Sequence, residues 1–275
     1  MPLGLLLLLG LVLLALLGTS CSRVTKPEVE QASPASTAAV ASTAAVVTNR
    51  AGSVTSRADT SGPQPDCAQL APLAPGVVES SSYTADLDAD GLNDRVSSYA
   101  VGPAPAPGDW HLRVSFGAGG GSDLVVGDNP APGRVAVLGS AALGPQAQPG
   151  PGEGRPAIFV WTGSGASSRS IGLYRVDGCD LVALLSPEGG PAGFVVGASL
   201  GHQEGLRCAV VDGQHVVIEI LSQASPVSGY EVTTRAYGGA GNELSVHGAA
   251  VQTTSAGPPP EGGQIVGCGD VQPKG

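Results

Sequence analysis

The segment Trp110-His-Leu-Arg-Val-Ser-Phe116 decides the fold class, because its residues alternate strictly between apolar and polar side chains. Successive side chains of an extended strand point to opposite faces, so this alternation places every apolar side chain on one face. The polar side chains of His111, Arg113 and Ser115 share the other face. The segment therefore predicts a β-strand that buries one face and exposes the other.

Short runs of β-forming residues continue on both sides of this strand. Clusters of Gly, Pro, Asp or Ser separate them, and none shows a sustained helical period of about 3.6 residues. We therefore expect an all-β domain with essentially no helix. The further runs are 94–101, 134–138, 157–161, 170–176, 181–185, 193–196, 206–211, 215–221, 230–236 and 243–247.

The amino terminus is a targeting segment. Residues 3–17 are almost all Leu, a run that is shorter than the roughly 20 residues of a membrane-spanning helix and typical of a signal peptide. Gly18-Thr-Ser-Cys21 follows directly and is similar to a bacterial lipobox, whose cysteine is lipidated after cleavage. We predict a signal peptide over 1–20 and a lipid anchor on Cys21, which would hold the protein at the cell surface of a bacterium. Cleavage after Ser20 without lipidation, giving a secreted protein, is the alternative.

Residues 21–66 comprise the anchor cysteine and a predicted disordered linker. The linker consists mainly of Ala, Ser, Thr, Val and Pro and contains no aromatic residue. Such a stretch cannot bury enough apolar surface to offset the entropy of ordering it. The folded domain is therefore expected to comprise residues 67–275.

The chain is acidic, with 13 Lys and Arg residues against 23 Asp and Glu residues and a formal charge of −10 at pH 7. Nucleic-acid binding requires a basic surface that neutralises phosphates, so this composition argues against a nucleic-acid partner. An acidic surface suits an exported protein or a protein that binds cations.

One loop carries a specific metal-binding pattern, Asp86-Leu-Asp-Ala-Asp-Gly-Leu-Asn-Asp94. Its first three carboxylates stand at alternate positions, and a glycine follows the third. This spacing gathers hard oxygen donors on a short loop, and such donors are the ligands that Ca²⁺ takes in proteins. The loop therefore predicts a calcium site.

Three acidic turns divide the predicted domain into similar units. The pairs 90–91, 153–154 and 212–213 lie about 60 residues apart, and each leads into a predicted strand. A unit of this length with about four strands is typical of a β-propeller blade.

The stretch 85–96 resembles the calcium loop of FG-GAP/VCBS-type repeats, which build integrin-like β-propellers. The resemblance implies a compact propeller-like assembly of three to four antiparallel blades with one intact calcium loop. It also implies the calcium ligands, namely the side chains of Asp86, Asp88, Asp90 and Asp94 and the backbone carbonyl of Leu92. The other two units hold non-ligand residues at the corresponding positions, which are Pro149, Pro151 and Ala157 in one and Cys208, Val210 and Val216 in the other.

Two other interpretations of the loop remain open. An EF-hand or dockerin loop needs an acidic residue at its twelfth position and a helix after it, whereas Ser97 stands there and 96–101 is a predicted strand. The aspartates can also serve only as caps of a tight turn. Three carboxylates on one turn repel one another without a cation, and this repulsion favours the metal.

Four cysteines follow Cys21, and they include no C-x-x-C pair that would indicate a zinc site. In an exported protein they predict two disulfides, with free thiols or a metal site as the alternative. Four cysteines allow three pairings. We predict Cys179–Cys208, between neighbouring strands of the second and third units, and Cys67–Cys268, which would tie the start of the domain to its end.

The sequence shows no catalytic motif. The most suggestive of its four histidines is His202, which lies two residues from Glu204 in a glycine-flanked turn. No nucleophile elbow, G-x-G-x-x-G segment or P-loop occurs. We therefore expect a binding module, not an enzyme, that recognises a protein or glycan at the cell surface and reaches the membrane only through its lipid anchor. An exported hydrolase with catalytic groups on inter-blade loops, around His202 and Glu204, is the alternative.

Overall fold

A computed structural model describes residues 66–102, 105–106, 108–126, 134–145, 155–227 and 229–271. Four sequence predictions lie outside these residues: the signal peptide 1–20, the anchor Cys21, the linker up to residue 65 and the turn 153–154. Within the described ranges, no helix is long and apolar enough to cross a membrane.

The described part of the chain is all-β, which confirms the predicted fold class. It contains sixteen strands and no helix, and every strand predicted from the sequence is present with its ends shifted by a few residues at most. The strands are β1 Val78–Ala85, β2 Asp94–Ala100, β3 Trp110–Ser115, β4 Gly121–Val125, β5 Ala136–Ala141, β6 Gly144–Pro145, β7 Ala157–Ser164, β8 Ser168–Asp177, β9 Asp180–Ala183, β10 Gly193–Ser199, β11 His202–Val211, β12 Gln214–Ser225, β13 Gly229–Ala240, β14 Glu243–Val246, β15 Val251–Ser255 and β16 Ile265–Val266.

The first sheet is a four-stranded antiparallel sheet in the order β1-β2-β3-β4. The alternating segment forms β3, which pairs with β2 on one side and with β4 on the other. Its side chains divide as predicted, because Leu112 and Val114 are buried while His111 and Arg113 lie on the opposite face. This sheet has the size of a single propeller blade.

The second sheet contains twelve strands, and eight of them follow the order β14-β13-β12-β11-β10-β8-β7-β5. Four short or peripheral strands pair beside this path: β15 with β13, β16 with β11, β6 with β12 and β9 with β8. The hydrogen bonding is therefore continuous and does not divide these strands into further four-stranded blades. The described residues form no closed propeller, so the predicted number of three to four blades is not confirmed.

Strand β7 lies between two hydrophobic cores. Ile158 and Val160 point into a core that the two sheets share, where they join Leu112 and Val114 of β3. Phe159 points into a second core, which belongs to the large sheet. Because both faces of β7 are buried, its sequence is a continuous apolar run and not an alternating one.

Two disulfides form from the four cysteines, as predicted, but their pairing differs from the prediction. Cys67 is bonded to Cys179 and Cys208 to Cys268, with Cα–Cα distances of 5.3 and 4.7 Å. The predicted pairs Cys179–Cys208 and Cys67–Cys268 are therefore wrong, although all four cysteines are disulfide-bonded. Two structural disulfides are consistent with an extracytoplasmic location.

The first disulfide follows from the contact between the two sheets. Cys179 lies in the turn between β8 and β9, and this turn approaches β4, where the Leu181 N–H donates to Ser122 Oγ at 3.0 Å. Cys67 passes the turn between β3 and β4 so closely that a Cβ on Gly120 would lie 2.5 Å from the Cys67 carbonyl oxygen. The two cysteines therefore meet where the segment before β1 crosses the turn between β8 and β9.

The second disulfide follows from a parallel strand pair. β16 runs parallel to β11, with Arg207 opposite Val266. The next residues of both strands therefore continue side by side, which brings Cys268 to Cys208. The prediction failed because it assumed that adjacent units in the sequence form adjacent blades, whereas Cys208 lies in the middle of a strand and faces the carboxyl-terminal segment.

Candidate metal site

The acidic loop connects β1 to β2, and its own side chains close it. Both carboxylate oxygens of Asp86 accept backbone N–H bonds, from Asp90 at 3.1 Å and from Gly91 at 3.0 Å. Asp88 Oδ1 accepts the Asp90 N–H at 3.2 Å, and Asp90 Oδ1 accepts the Leu92 N–H at 2.6 Å. The aspartates thus cap the turn, but each carboxylate oxygen has a second lone pair that a cation can use.

The backbone of the loop directs three carboxylates toward one point. Ala89 and Gly91 have left-handed conformations, with φ angles of 65° and 88°. One carboxylate oxygen each from Asp86, Asp88 and Asp94 then lies within 4.8 Å of the other two. Oxygens that bind one Ca²⁺ at about 2.3–2.6 Å lie up to about 5 Å apart, so this set of donors fits a hard cation.

Among the predicted carboxylate ligands, that of Asp90 lies outside this group of three. The Asp90 carboxylate is turned to the Leu92 N–H and does not join the other carboxylates. Leu92 exposes 48% of its surface, and its predicted contribution is a backbone carbonyl and not a side chain. The structure thus brings together Asp86, Asp88 and Asp94 and leaves Asp90 as a turn cap.

Asp94 links the loop to the rest of the first sheet. This side chain is fully buried at the start of β2. Its Oδ2 accepts the Leu87 N–H at 2.7 Å, and its Oδ1 accepts the Gly117 N–H at 2.9 Å from the turn between β3 and β4. Glycine is needed at 117, because a Cβ there would lie 2.8 Å from the Asn93 carbonyl oxygen. A ligand held by Asp94 would therefore also stabilise this neighbouring turn.

The clustered carboxylates destabilise one another's charges. Burial, followed by the negative charges of Asp94 and Asp90, raises the pKa of Asp88 to about 6. Burial also raises the pKa of Asp94, although hydrogen bonds from Gly117 and Leu87 oppose this effect. A divalent cation at this point would neutralise negative charges whose burial and mutual repulsion otherwise destabilise the folded protein.

A polar network covers the outer face of the first sheet. The Tyr99 hydroxyl donates to Asp123 Oδ2 at 2.6 Å, and the Arg113 Nε donates to the same oxygen at 2.7 Å. His111 Nδ1 lies 3.0 Å from Asp123 Oδ1, and its ring stacks on Tyr99. Arg113 also donates to the Ala71 carbonyl at 2.9 Å. The network therefore fixes the segment before β1 to the sheet, and its groups satisfy one another.

The pair at the centre of the hydrolase alternative lies at the surface. His202 Nε2 lies 3.0 Å from Glu204 Oε1, and the side chains are 47% and 22% exposed. Both residues belong to β11, close to its turn with β10. Neither lines the pocket beside Trp161, whose walls come from β1, β5, β7, β8, β10 and the segment 262–265. This arrangement is a surface ion pair or hydrogen bond, and it gives the hydrolase alternative no support.

Sequence reasoning did not predict a pocket that lies against the large sheet beside Trp161. Its walls come from β1, β5, β7, β8, β10 and the segment 262–265. The one local signal is the Gly- and Ser-rich run 163–168 between Trp161 and Arg169, and such a run is also typical of an ordinary hairpin turn. Only the three-dimensional assembly of these segments reveals the pocket.

Comparisons with known proteins give no relative. No protein-family model, curated protein or solved structure matches the chain. The resemblance to FG-GAP/VCBS-type repeats therefore rests on the residues of the acidic loop, and the function has to be inferred from the geometry of the chain itself.

Proposed function

We propose that the folded domain is an extracytoplasmic binding module that is stabilised by one Ca²⁺ in the loop between β1 and β2. The observation that carries this proposal is the convergence of the Asp86, Asp88 and Asp94 carboxylates within 4.8 Å. The raised pKa of Asp88 supports it, since a site for a cation holds negative charges together that repel one another in its absence. The FG-GAP/VCBS-type character of the loop is part of the same proposal.

Asp86, Asp88 and Asp94 would bind the ion directly. Asp90 and the carbonyl of Leu92 complete the ligand set that the resemblance implies. Ca²⁺ supplies positive charge and a flexible set of six to eight oxygen contacts, of which water can provide part. Because Asp94 also accepts the Gly117 N–H at 2.9 Å, the bound state would stabilise the contact between this loop and the turn after β3.

The proposed location and partner of the module rest on the sequence. In the proposed arrangement, the signal peptide directs export, the lipid on Cys21 anchors the chain to the membrane and residues 22–66 act as a tether. The partner is a protein or a glycan at the cell surface and not a nucleic acid, because the chain carries a formal charge of −10. The proposal includes no catalytic role, since no described cluster supports the hydrolase alternative.

A thermal unfolding experiment tests the calcium proposal. The melting temperature of the chelator-treated protein is measured with CaCl₂ and with equal MgCl₂ at about 10 mM. For a dissociation constant of about 10⁻⁴–10⁻³ M, calcium adds about 1–3 kcal/mol of stability and raises the melting temperature by about 3–10 °C. Magnesium has little effect, because it demands a tighter octahedron and keeps its waters.

Two substitutions make this test specific to the loop. Asp88→Asn keeps the shape of the side chain but removes a ligand charge, and it abolishes the calcium response. Asp180→Asn is the matched control, because Asp180 is an exposed aspartate on β9, outside the loop, and the response is retained. Equal responses of the two variants, or of the wild type to calcium and magnesium, would contradict the proposed site.

Anchoring is tested separately by Cys21→Ser. The variant is expected to leave the membrane fraction and appear in the medium, because the acylated thiol is the proposed attachment. Immunoblotting of both fractions, with removal of the signal peptide checked by mass, gives the readout. Retention of the processed variant in the membrane at the wild-type level would contradict lipidation.

A further inference from the structure

The pocket beside Trp161 has the size of a ligand site. Its volume is about 1030 Å³, the upper end of the range for small-molecule sites. Trp161 of β7 and Ile171 of β8 add apolar surface to its lining, while Ser164 of β7 and Gln264 add polar groups. The pocket thus combines an aromatic surface with hydrogen-bonding groups from separate segments.

The charge of the pocket is opposite to that of the chain. Arg134 and Arg169 line it, and no Asp or Glu is among the described residues of its lining. The chain as a whole has 23 acidic residues against 13 basic ones. The carboxylate next to the lining segment 262–265 is that of Glu261, and it lies 3.5 Å from Arg207. The local field therefore favours an anion.

Arg169 is oriented for such an anion. Its guanidinium carbon lies 3.7 Å from the centre of the Trp161 ring, so the planar group stacks on the indole. Stacking occupies the face of a guanidinium and leaves the N–H groups at its edge available for a carboxylate or phosphate. Among the described residues, no carboxylate lies within ion-pair distance of Arg169. Its charge is therefore positioned, and no described carboxylate neutralises it.

Arg134 is held by neutral groups. Its Nε donates to Ser80 Oγ at 2.5 Å, and its Nη2 donates to the Ser80 carbonyl oxygen. These bonds orient the side chain at the rim of the pocket without cancelling its charge. Neither guanidinium group has a carboxylate partner among the described side chains, and two such positioned groups are the arrangement that recognises an oxyanion.

Hydrogen bonds and close contacts within the chain hold the walls of the pocket in place. The Trp161 indole N–H donates to the Gly163 carbonyl at 2.8 Å, which fixes the ring. The hairpin between β7 and β8 is bound to β10, because the Ala198 N–H donates to the Ser167 carbonyl at 3.1 Å. Any Cβ on Gly197 would lie 2.3 Å from that same carbonyl oxygen. A preformed site loses less entropy on binding.

We propose that this pocket binds an acidic sugar, that is, a hydroxylated ring that carries a carboxylate or a phosphate. The guanidinium groups of Arg169 and Arg134 bind the oxyanion, the Trp161 surface contacts the ring, and Ser164 and Gln264 bond the hydroxyls. The inference deepens the proposed binding function by naming a site and a ligand class. It rests on that function, but it uses no residue of the calcium loop.

The experiment is a titration of the full protein with glucuronate, glucose 6-phosphate and glucose, followed by calorimetry and by tryptophan fluorescence. Both charged sugars, or one of them, are expected to bind at least about tenfold more tightly than glucose, which is about 1.4 kcal/mol. The difference between glucuronate and glucose 6-phosphate then identifies the preferred oxyanion. A Trp161→Phe variant should lose the fluorescence response, since the other tryptophan, Trp110, lies on β3.

Arginine variants make the test specific to the pocket. Arg169→Gln and Arg134→Gln should each weaken binding of the charged sugar by at least about tenfold. Both side chains are exposed, so neither change should prevent folding. Arg235→Gln is the matched control, because Arg235 is a half-exposed arginine of β13 outside the pocket, and it should leave binding unchanged.

Three results would overturn the inference: equal binding of glucose and the charged sugars, no binding of either charged sugar, or equal binding by Arg169→Gln and the wild type. The calcium response of the same preparation distinguishes this failure from failure of the proposed function. If calcium still raises the melting temperature while the charged sugars do not bind, the calcium-stabilised module stands and the acidic-sugar site does not.

Discussion

The two sheets of this domain are stabilised in different ways. The large sheet has twelve hydrogen-bonded strands and a core of its own, with Phe159, Leu173 and Leu206 fully buried in it. The first sheet has four strands, and its buried side chains belong to a core that it shares with the large sheet. It is further fixed at its margins by one disulfide, by the Asp123 network and by the acidic loop.

Because of this difference, the stability of the first sheet is expected to depend on the contacts at its margins. A four-stranded sheet with a shared core buries little apolar surface of its own, so cross-links and charges at its margins carry a larger share of its stability. Removal of one of these cross-links or charges should unfold the first sheet before the large sheet. Hydrogen exchange measured strand by strand can detect this order.

Cutting the two disulfides separately is expected to give the largest effects. Cys67→Ser with Cys179→Ser opens a loop of 112 residues and lowers the free energy of unfolding by about 4–5 kcal/mol in the chain-entropy estimate. Amides of β1–β4 should then exchange faster than those of β12 and β13. The matched control, Cys208→Ser with Cys268→Ser, costs a similar amount but should expose β11 and β16 first. The same exchange pattern in both double variants would contradict the comparison.

The Asp123 network is the next largest contribution. Asp123→Asn removes the ionised acceptor of Tyr99 and Arg113, and it should cost about 1.5–3 kcal/mol in urea unfolding. Burial alone would raise the pKa of Asp123, but hydrogen bonds from Tyr99, Arg113 and His111 lower it overall. Its contribution is therefore complete above the ordinary pKa of 3.8 and is lost as the pH falls through the lowered value of the folded state.

The control for this pH dependence is Asp180→Asn, which should retain the acid sensitivity of the wild type. Asp123→Asn should flatten the fall in stability at acidic pH, because the group that gains protons on unfolding is absent. If stability falls equally in Asp123→Asn and in the wild type below the ordinary pKa of 3.8, the network does not stabilise the first sheet through this charge.

Calcium should act on the first sheet and not on the large one. At about 10 mM it adds about 1–3 kcal/mol, and the gain should appear as slower exchange of the Leu87 and Gly117 amides, which donate to Asp94. Amides in the centre of β12 should change little until global unfolding. Equal protection of both sheets by calcium would mean that the ion stabilises the domain only globally.

The smallest expected effect is that of Leu92→Ala. Leu92 exposes 48% of its surface, and its proposed contribution to the ion is a backbone carbonyl that alanine also provides. Stability should change by less than about 0.5 kcal/mol, and the calcium affinity should stay within about twofold. A loss of calcium response in this variant, with Leu92→Met as the conservative control, would show that the side chain has a role that the exposed position does not explain.

The sequence predicted strands wherever side chains alternate or form an apolar run. It missed β1, β4 and β15, which are rich in Ser, Gly, Gln or Thr and become strands because neighbouring strands pair with them. It also missed the two-residue strands β6 and β16, which are too short to show a pattern. It also could not give the order of twelve strands in one sheet, since that order depends on contacts between distant segments. Local patterns therefore predicted the class of the fold but not the arrangement of its strands in two sheets.

In the candidate sites, too, local patterns predict some features, whereas others depend on how the strands assemble. Asp86, Asp88 and Asp94 lie within nine residues, so their convergence could be predicted from spacing. The hydrogen bond from Gly117 to Asp94, the partner of Cys208 and the pairing of Arg169 with Trp161 in the pocket depend on how strands assemble. No local spacing encodes these contacts, and the incorrect disulfide pairing is the clearest consequence.

The most direct test of the central claim is isothermal titration calorimetry of CaCl₂ into the chelator-treated protein. We predict one site per chain with a dissociation constant of about 10⁻⁴–10⁻³ M, no comparable heat with MgCl₂, and loss of the site in Asp88→Asn but not in Asp180→Asn. If millimolar calcium gives no binding heat and chelation leaves the melting temperature unchanged, the aspartates of the loop serve only as turn caps, and the proposed calcium-stabilised module is wrong.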